Sequence, residues 1–139
     1  MPKKINSPRK KLTRQELRDL DLEILFLEGV VRRDPAYVEA LQILGDNYTR
    51  RGRYTEGLKM DERLSLLRPD DAAVQYNLAC SYALTHQIEL AFEALDAAIN
   101  LGYRDFKSLD KDPDLDNLRQ HDEYKKIRAK LRGLHPKTP

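Results

Sequence analysis

The sequence is poor in the features that most directly identify a function. Among 139 residues there is a single cysteine, Cys80, which excludes an internal disulfide framework and favours a reducing compartment. The longest apolar-rich stretch, residues 20–31, is interrupted by three acids and a glycine. It is therefore too short and too polar for a membrane span, which needs about 20 apolar residues. No apolar stretch directly follows the basic N-terminal residues, so we expect no secretory signal and a cytoplasmic protein.

Residues with the spacing of a catalytic, metal or cofactor site are also missing. The three histidines have no metal-ligand spacing with one another or with the cysteine, and no glycine-rich phosphate loop or nucleophile–base pairing is evident. The alternating aspartates of residues 110–116 are similar to the start of a calcium loop, but Leu115 and His121 occupy its glycine and glutamate positions. We therefore expect no enzyme activity, cofactor or metal, and assign these aspartates to helix capping.

The net charge of +2 conceals a basic N-terminus. Residues 1–14 carry six basic side chains and no acid, so the rest of the chain is net acidic. Prolines and polar residues interrupt this segment, and we predict that residues 1–12 form a disordered tail. The tail could be a solubilising segment or an arm for nuclear import or nucleic-acid binding. The acidic remainder argues against nucleic-acid binding by the whole domain.

The sequence does contain an internal repeat with a period of 34 residues. Pro35 is followed 34 positions later by Pro69, and small or apolar residues recur at the same interval. The matching pairs are Leu44 and Leu78, Gly45 and Ala79, Tyr48 and Tyr82, Gly57 and Ala91, and Leu64 and Ala98. A 34-residue period is typical of solenoids built from helix–turn–helix units.

Helical spacing and capping signals divide the chain around this repeat. A capping box at Thr13 and Glu16 predicts the start of a leading helix over 13–34, with Phe26 and Val30 widening its apolar stripe. Two full units follow, over 35–69 and 70–102, with turns at Gly52 and at residues 85–87. Residues 103–135 are predicted to form a degenerate closing unit. This unit covers the last hydrophobic layer and ends in an amphipathic helix.

The two full units resemble tetratricopeptide repeats. The first supplies Leu44, Gly45, Tyr48, Gly52, Tyr54 and Pro69, and the second supplies Leu78, Ala79, Tyr82, Ala91 and Ala98. The resemblance implies an all-α superhelix of antiparallel helix hairpins in one domain, residues 13–135. Asp61 departs from the family, which usually has an aromatic residue there, and this predicts a looser or shifted contact between the two units.

The resemblance also implies that the concave face, lined by the first helix of each unit, binds a ligand. Its candidate residues are Glu39, Gln42, Asp46, Arg50, Tyr76, Asn77, Cys80, Lys107 and Lys111. Chaperone-binding members of the family hold a peptide carboxylate with lysine, asparagine and arginine from three successive units. Asn77 and the two lysines suit such a clamp, whereas Gln42 and Asp46 do not, so a full clamp is not expected. Packing against a neighbouring helix is the alternative role of Tyr76 and Cys80.

These patterns predict a non-catalytic scaffold that binds a peptide or protein segment in the concave groove. The alternative is a structural assembly module that self-associates, or joins a larger complex, through the leading helix or the end of the array. The sequence leaves the oligomeric state open between a monomer and a weak dimer.

Overall fold

A computed structural model describes residues 11–134, so most of the predicted tail and the last residue of the closing unit lie outside the described residues. The described chain is all-α, and its helices pack in adjacent pairs, as predicted. The helices are α1 Arg14–Arg33, α2 Val38–Arg51, α3 Tyr54–Leu67, α4 Ala72–Leu84, α5 Ile88–Asn100, α6 Phe106–Lys111 and α7 Glu123–Leu134. Two short 3-10 turns, Pro113–Leu115 and Leu118–Gln120, connect α6 to α7. Within residues 11–134, no helix is long and apolar enough to cross a bilayer.

Helix α1 begins with the predicted capping box. The backbone N–H of Glu16 donates to Thr13 Oγ1 at 3.1 Å, and the Thr13 N–H donates to Glu16 Oε1 at 3.0 Å. The buried side of α1 then follows a period of three to four residues and packs on α2 through Leu20, Ile24, Leu27 and Val31. The prediction that Phe26 belongs to this buried stripe is wrong, because its side chain is 70% exposed.

Small residues allow the two helices of each hairpin to approach closely. A Cβ atom added to Gly57 would lie 2.9 Å from Thr49 Oγ1, and one added to Gly45 would lie 3.3 Å from Met60 Cβ. In the second hairpin, Ala79 and Ala91 take the equivalent positions and are fully buried. Packing of α2 on α3 and of α4 on α5 thus explains the small residues of the repeat.

The junction between the two hairpins is closed by a buried polar contact. Asp61 is only 4% exposed, and its carboxylate accepts a hydrogen bond from the hydroxyl of Ser81 on α4. This hydrogen bond joins the two hairpins, and the looser or shifted contact between them stays a prediction. A hydrogen bond here replaces the aromatic contact of the family, because a buried carboxylate needs donors in place of water.

The C-terminal third folds back on the second hairpin. Asp105 caps α6 by accepting from the Ser108 N–H, so this helix begins at Phe106. Leucines from α6, both turns and α7 then fill the space beside α4 and α5 and are fully buried: Leu109, Leu115, Leu118 and Leu131. The closing unit therefore belongs to the same hydrophobic core as the second hairpin.

Candidate functional site

Seven of the nine candidate groove residues lie on two surfaces, the α2 inner face and the α4 inner face, and the two lysines lie on α6. The α2 inner face consists of Glu39, Gln42, Ile43, Asp46 and Arg50. Glu39, Ile43 and Arg50 are exposed, and the other two are half-buried. The opposite side of α2 packs against α1. The α2 inner face is thus an open row that combines an acid, an isoleucine and an arginine.

Contacts with α1 fix the orientation of α2. Asn47 Nδ2 donates to Glu23 at 2.9 Å, and Arg51 Nε donates to Asp21 at 2.7 Å. The Tyr48 hydroxyl donates to the carboxylate of Glu28. Burial and the bond to this acid raise the pKa of Tyr48 well above its ordinary value, so the phenol stays a neutral donor. The bonded side of α2 faces α1, which leaves its inner side for contacts outside the hairpin.

The α4 inner face, formed by Tyr76, Asn77 and Cys80, is buried in the structure. The Tyr76 hydroxyl donates to Asp112 Oδ2 at 2.8 Å, and Cys80 Sγ lies 3.8 Å from the same oxygen. Asn117 Nδ2 donates to the backbone oxygen of Ala83 at 2.7 Å. These contacts place residues 112–118, the closing segment, over the α4 inner face. A ligand could reach Tyr76 or Cys80 only if the closing segment moved away, and Asn77 is buried as well.

The closing segment is held in shape by its own caps. Asp112 Oδ1 accepts the Asp114 N–H at 3.0 Å, while Pro113 occupies the first position of the turn, where no backbone donor is needed. Arg119 donates to the backbone oxygens of Leu109 at 2.8 Å and Asp112 at 2.7 Å. The capping role predicted for the alternating aspartates is therefore confirmed for Asp112.

Tyrosines line the covered face and act as neutral hydrogen-bond donors or packing groups. The Tyr76 and Tyr103 rings stack with their centroids 4.4 Å apart. Burial, more than the neighbouring Cys80 and Asp112, raises the pKa of Tyr76 far above its ordinary value. Burial also raises the pKa of Tyr103. Tyr124, whose hydroxyl donates to the Leu109 oxygen at 2.9 Å, has a pKa raised to about 12, mainly by burial.

One group of potential metal ligands lies under the closing segment. A ligand atom from each of Cys80, Asp112 and Asp114 lies within 4.8 Å of the other two, and all three residues are buried. Both Asp112 oxygens already accept hydrogen bonds, one from Tyr76 and one from the Asp114 N–H. Capping and packing therefore account for this carboxylate without an ion.

The structure does not assemble a carboxylate clamp from the residues that suit one. Asn77 is 6% exposed, whereas Lys107 and Lys111 are exposed on α6. The buried asparagine and the two exposed lysines do not share one accessible surface. A binding role for any of these three residues remains a prediction.

Two surfaces were missed by sequence reasoning. The outer side of α1 exposes three large apolar residues, Leu22, Leu25 and Phe26. Their spacing was a usable signal, because it is helical but out of phase with the buried stripe. A cleft of about 770 Å³ also lies between α5 and α7, where Phe92 and His121 meet edge to face with ring centroids 6.2 Å apart. Its lining combines four acids with two lysines, one of which pairs with Asp96, and carries no recognisable chemistry.

Comparison with known proteins gives two similarities, and no family model matches the chain. A chloroplastic protein from Arabidopsis thaliana is 36% identical over 83 residues, which cover 58% of this chain and 25% of that protein. Superkiller protein 3 from Schizosaccharomyces pombe is 35% identical over 72 residues, which cover 52% of this chain and 5% of that protein. The chain thus spans a quarter or less of the length of these relatives. Together with the all-helical architecture, the similarities fit a tetratricopeptide-like fold.

Proposed function

We propose that the protein is a non-catalytic interaction scaffold and that its α2 inner face binds a segment of another protein. The observation that carries this proposal is the contrast between the exposed Glu39, Ile43 and Arg50 and the covered face of α4. An exposed isoleucine between an acid and a base offers one apolar anchor with polar contacts on both sides. This combination suits an extended or helical protein segment.

The closing segment limits the length of the ligand. With the α4 inner face covered, the accessible row is confined to one helix of 14 residues, or about 21 Å. A ligand on this row would contact few side chains at once. A short segment bound with low affinity is therefore the expected partner.

Surface variants test this proposal better than variants of the buried residues. A double substitution, Ile43→Lys with Arg50→Glu, changes exposed side chains only, and Lys59→Glu on α3 is a matched exposed control. Tagged proteins would be used to capture partners from the source cells, with quantitative mass spectrometry of each eluate. Partners lost only with the α2 variant would support the proposal. An identical partner set for wild type and both variants would contradict it.

The assembly-module alternative is favoured by a separate observation, the exposed apolar side chains of α1. Sedimentation velocity over a concentration series of the full chain tests its self-associating form. A monomer at the highest concentration would exclude self-association and leave only the joining of a larger complex.

We also propose the cytoplasm as the location. The chain has a single cysteine and so forms no internal disulfide, which fits a reducing compartment. Fluorescence microscopy of the tagged full chain would test this location. The chloroplastic designation of one relative applies to that relative.

A further inference from the structure

The cleft between α5 and α7 lies at one end of the array of helices. Consecutive helices from α1 to α5 pack on one another and α7 packs on α5, so α1 lies at the other end. Two contacts join the walls of the cleft: Phe92 meets His121 edge to face, and Lys130 pairs with Asp96. Its apolar lining residues are Ile88, Phe92 and Ile127. The cleft is therefore a groove with an apolar floor.

Negative charge predominates on the walls of this cleft. One acid and one lysine of the lining, Asp96 and Lys130, neutralise each other. The other four charged lining residues are exposed: Glu89, Glu93, Glu123 and Lys126. None of these four side chains forms a hydrogen bond or an ion pair with another residue in the described part of the chain. Three carboxylates against one ammonium leave a formal excess of two negative charges.

The chain itself contains a segment of the opposite charge. Residues 1–10, the N-terminal segment, carry four basic side chains and no acid. Within this segment, Lys3 and Lys4 directly precede the apolar Ile5. The α5 wall of the cleft runs from Ile88 to Asp96, or about 12 Å, which about four residues of an extended segment would span. Two cations next to one apolar side chain therefore match the charge, the floor and the length of the cleft.

The place of the N-terminal segment in the chain favours the cleft of a second copy. The segment leads into α1, at the opposite end of the array from the cleft. To reach the cleft of its own copy it would have to pass both full hairpins, and ten extended residues cover at most about 36 Å. The cleft of a second copy can approach the segment directly. Such a contact joins different surfaces of the two copies, so it can repeat from copy to copy.

We propose that the N-terminal segment of one copy docks in the cleft between α5 and α7 of a second copy. Its lysines pair with Glu89, Glu93 and Glu123, and Ile5 contacts the apolar floor. Exposed ion pairs each contribute little and are screened by salt, so the association is weak and salt-dependent. This inference rests on the assembly alternative of the proposed function, in its self-associating form through the end of the array. It does not depend on the α2 inner face.

Charge reversal on each of the two surfaces tests this contact in the full chain. The segment variant is Lys3→Glu with Lys4→Glu, and the cleft variant is Glu89→Lys with Glu93→Lys. Sedimentation velocity over a concentration series measures self-association. The wild type should associate at low salt and dissociate at high salt. Each variant alone should weaken the association about tenfold or more.

A mixture of the two variants tests whether the two surfaces meet. The acidic segment of one variant should bind the basic cleft of the other, so the mixture should associate more strongly than either variant alone. Glu62→Lys with Asp70→Lys makes the same change in net charge at exposed positions outside the cleft and should leave the association unchanged.

A wild type that stays monomeric at every concentration at low salt would overturn the proposal. So would a mixture that associates no more strongly than its components, provided that both variants keep the helical circular dichroism of the wild type. Self-association that the cleft variant leaves unchanged would also overturn it, but would leave the assembly alternative standing with another surface. Failure of the α2 variant to lose partners would leave these measurements unaffected, so the two ideas can fail separately.

Discussion

The inner faces of α2 and α4 occupy equivalent positions in successive hairpins, yet the first is open and the second is covered by the closing segment. The difference follows their compositions. Helix α2 carries four charged residues, whereas α4, with the sequence AAVQYNLACSYAL, carries none. A helix without a charged face has to be covered on all sides, because its apolar surface has no solvated face to present. The comparison teaches that, of the two full hairpins in the described chain, only the first leaves its inner face exposed to solvent.

The largest expected loss of stability comes from opening a cavity between the closing segment and α4. Leu115 is fully buried between the closing segment and α4, so Leu115→Ala should lower the free energy of unfolding by about 2–5 kcal/mol. Ile43→Ala on the α2 inner face is the matched substitution at an exposed site and should change it by less than about 0.5 kcal/mol. Urea unfolding of both variants measures the difference. Equal effects at the two sites would remove the distinction between covered and open faces.

A smaller loss of stability is expected when the hydrogen bond between α4 and the closing segment is removed. Asp112→Ala removes the cap of the first turn and leaves the Tyr76 hydroxyl without its acceptor, which should cost about 1–3 kcal/mol in urea unfolding. Asp116→Ala, with a side chain 71% exposed, is the control and should cost less than about 1 kcal/mol.

Cys80 reports on the same link directly, because it is the single thiol of the chain and is fully buried. Reaction with a thiol reagent requires the closing segment to open. If opening is local, Asp112→Ala should be labelled faster than the wild type. The rate should rise about tenfold for each 1.4 kcal/mol by which the substitution lowers the free energy of opening the closing segment. Rapid labelling of the wild type would show that the α4 inner face is accessible in solution.

Alkaline pH should lower the stability of the second hairpin and the closing unit, by an amount similar to or smaller than that of Asp112→Ala. Burial raises the pKa of Tyr76 above 10 and that of Tyr124 to about 12, so their stabilising contribution is complete below pH 10. It is lost as pH rises through the folded-state pKa, with a slope of at most about 1.4 kcal/mol per pH unit for each group. Urea unfolding between pH 8 and about pH 11 should show this fall, and Tyr76→Phe should reduce its slope. Constant stability across this range would contradict the buried environment.

The smallest effect is expected for the charges of the open face. Glu39→Ala and Arg50→Ala remove exposed side chains, so each should change the free energy of unfolding by less than about 0.5 kcal/mol. A larger loss in urea unfolding would indicate that these charges support the fold instead of remaining available to a partner.

Local signals allowed most of the helical layout to be predicted from the sequence. The capping box of Thr13 and the turn at Gly52 depend on neighbouring residues, and Gly52 adopts the positive φ angle of a left-handed turn. His86 adopts the same left-handed conformation, with φ of 62°, in the turn between α4 and α5. Its side chain gave no sign of this, because a glycine or asparagine is the usual residue there.

The covering of α4 could not be predicted because it depends on partners distant in the sequence. Tyr76 and Asp112 are 36 residues apart, and neither residue type specifies the other. The same holds for Asp61 and Ser81, where a polar pair took a position expected to be aromatic. Helical periodicity identifies which residues of one helix share a side. It does not identify which later segment packs on that side.

The separation between Tyr76 and Asp112 also sets an order of events during synthesis. Chain growth from the N-terminus produces the whole of α4 before the first residue of its cover. The pairing of α4 with α5 needs only contacts close in sequence, whereas closure over Tyr76 must wait for a segment more than 30 residues later. For that interval the nascent chain presents an uncovered apolar helix, and the inner face of α4 becomes inaccessible only when translation has passed residue 112.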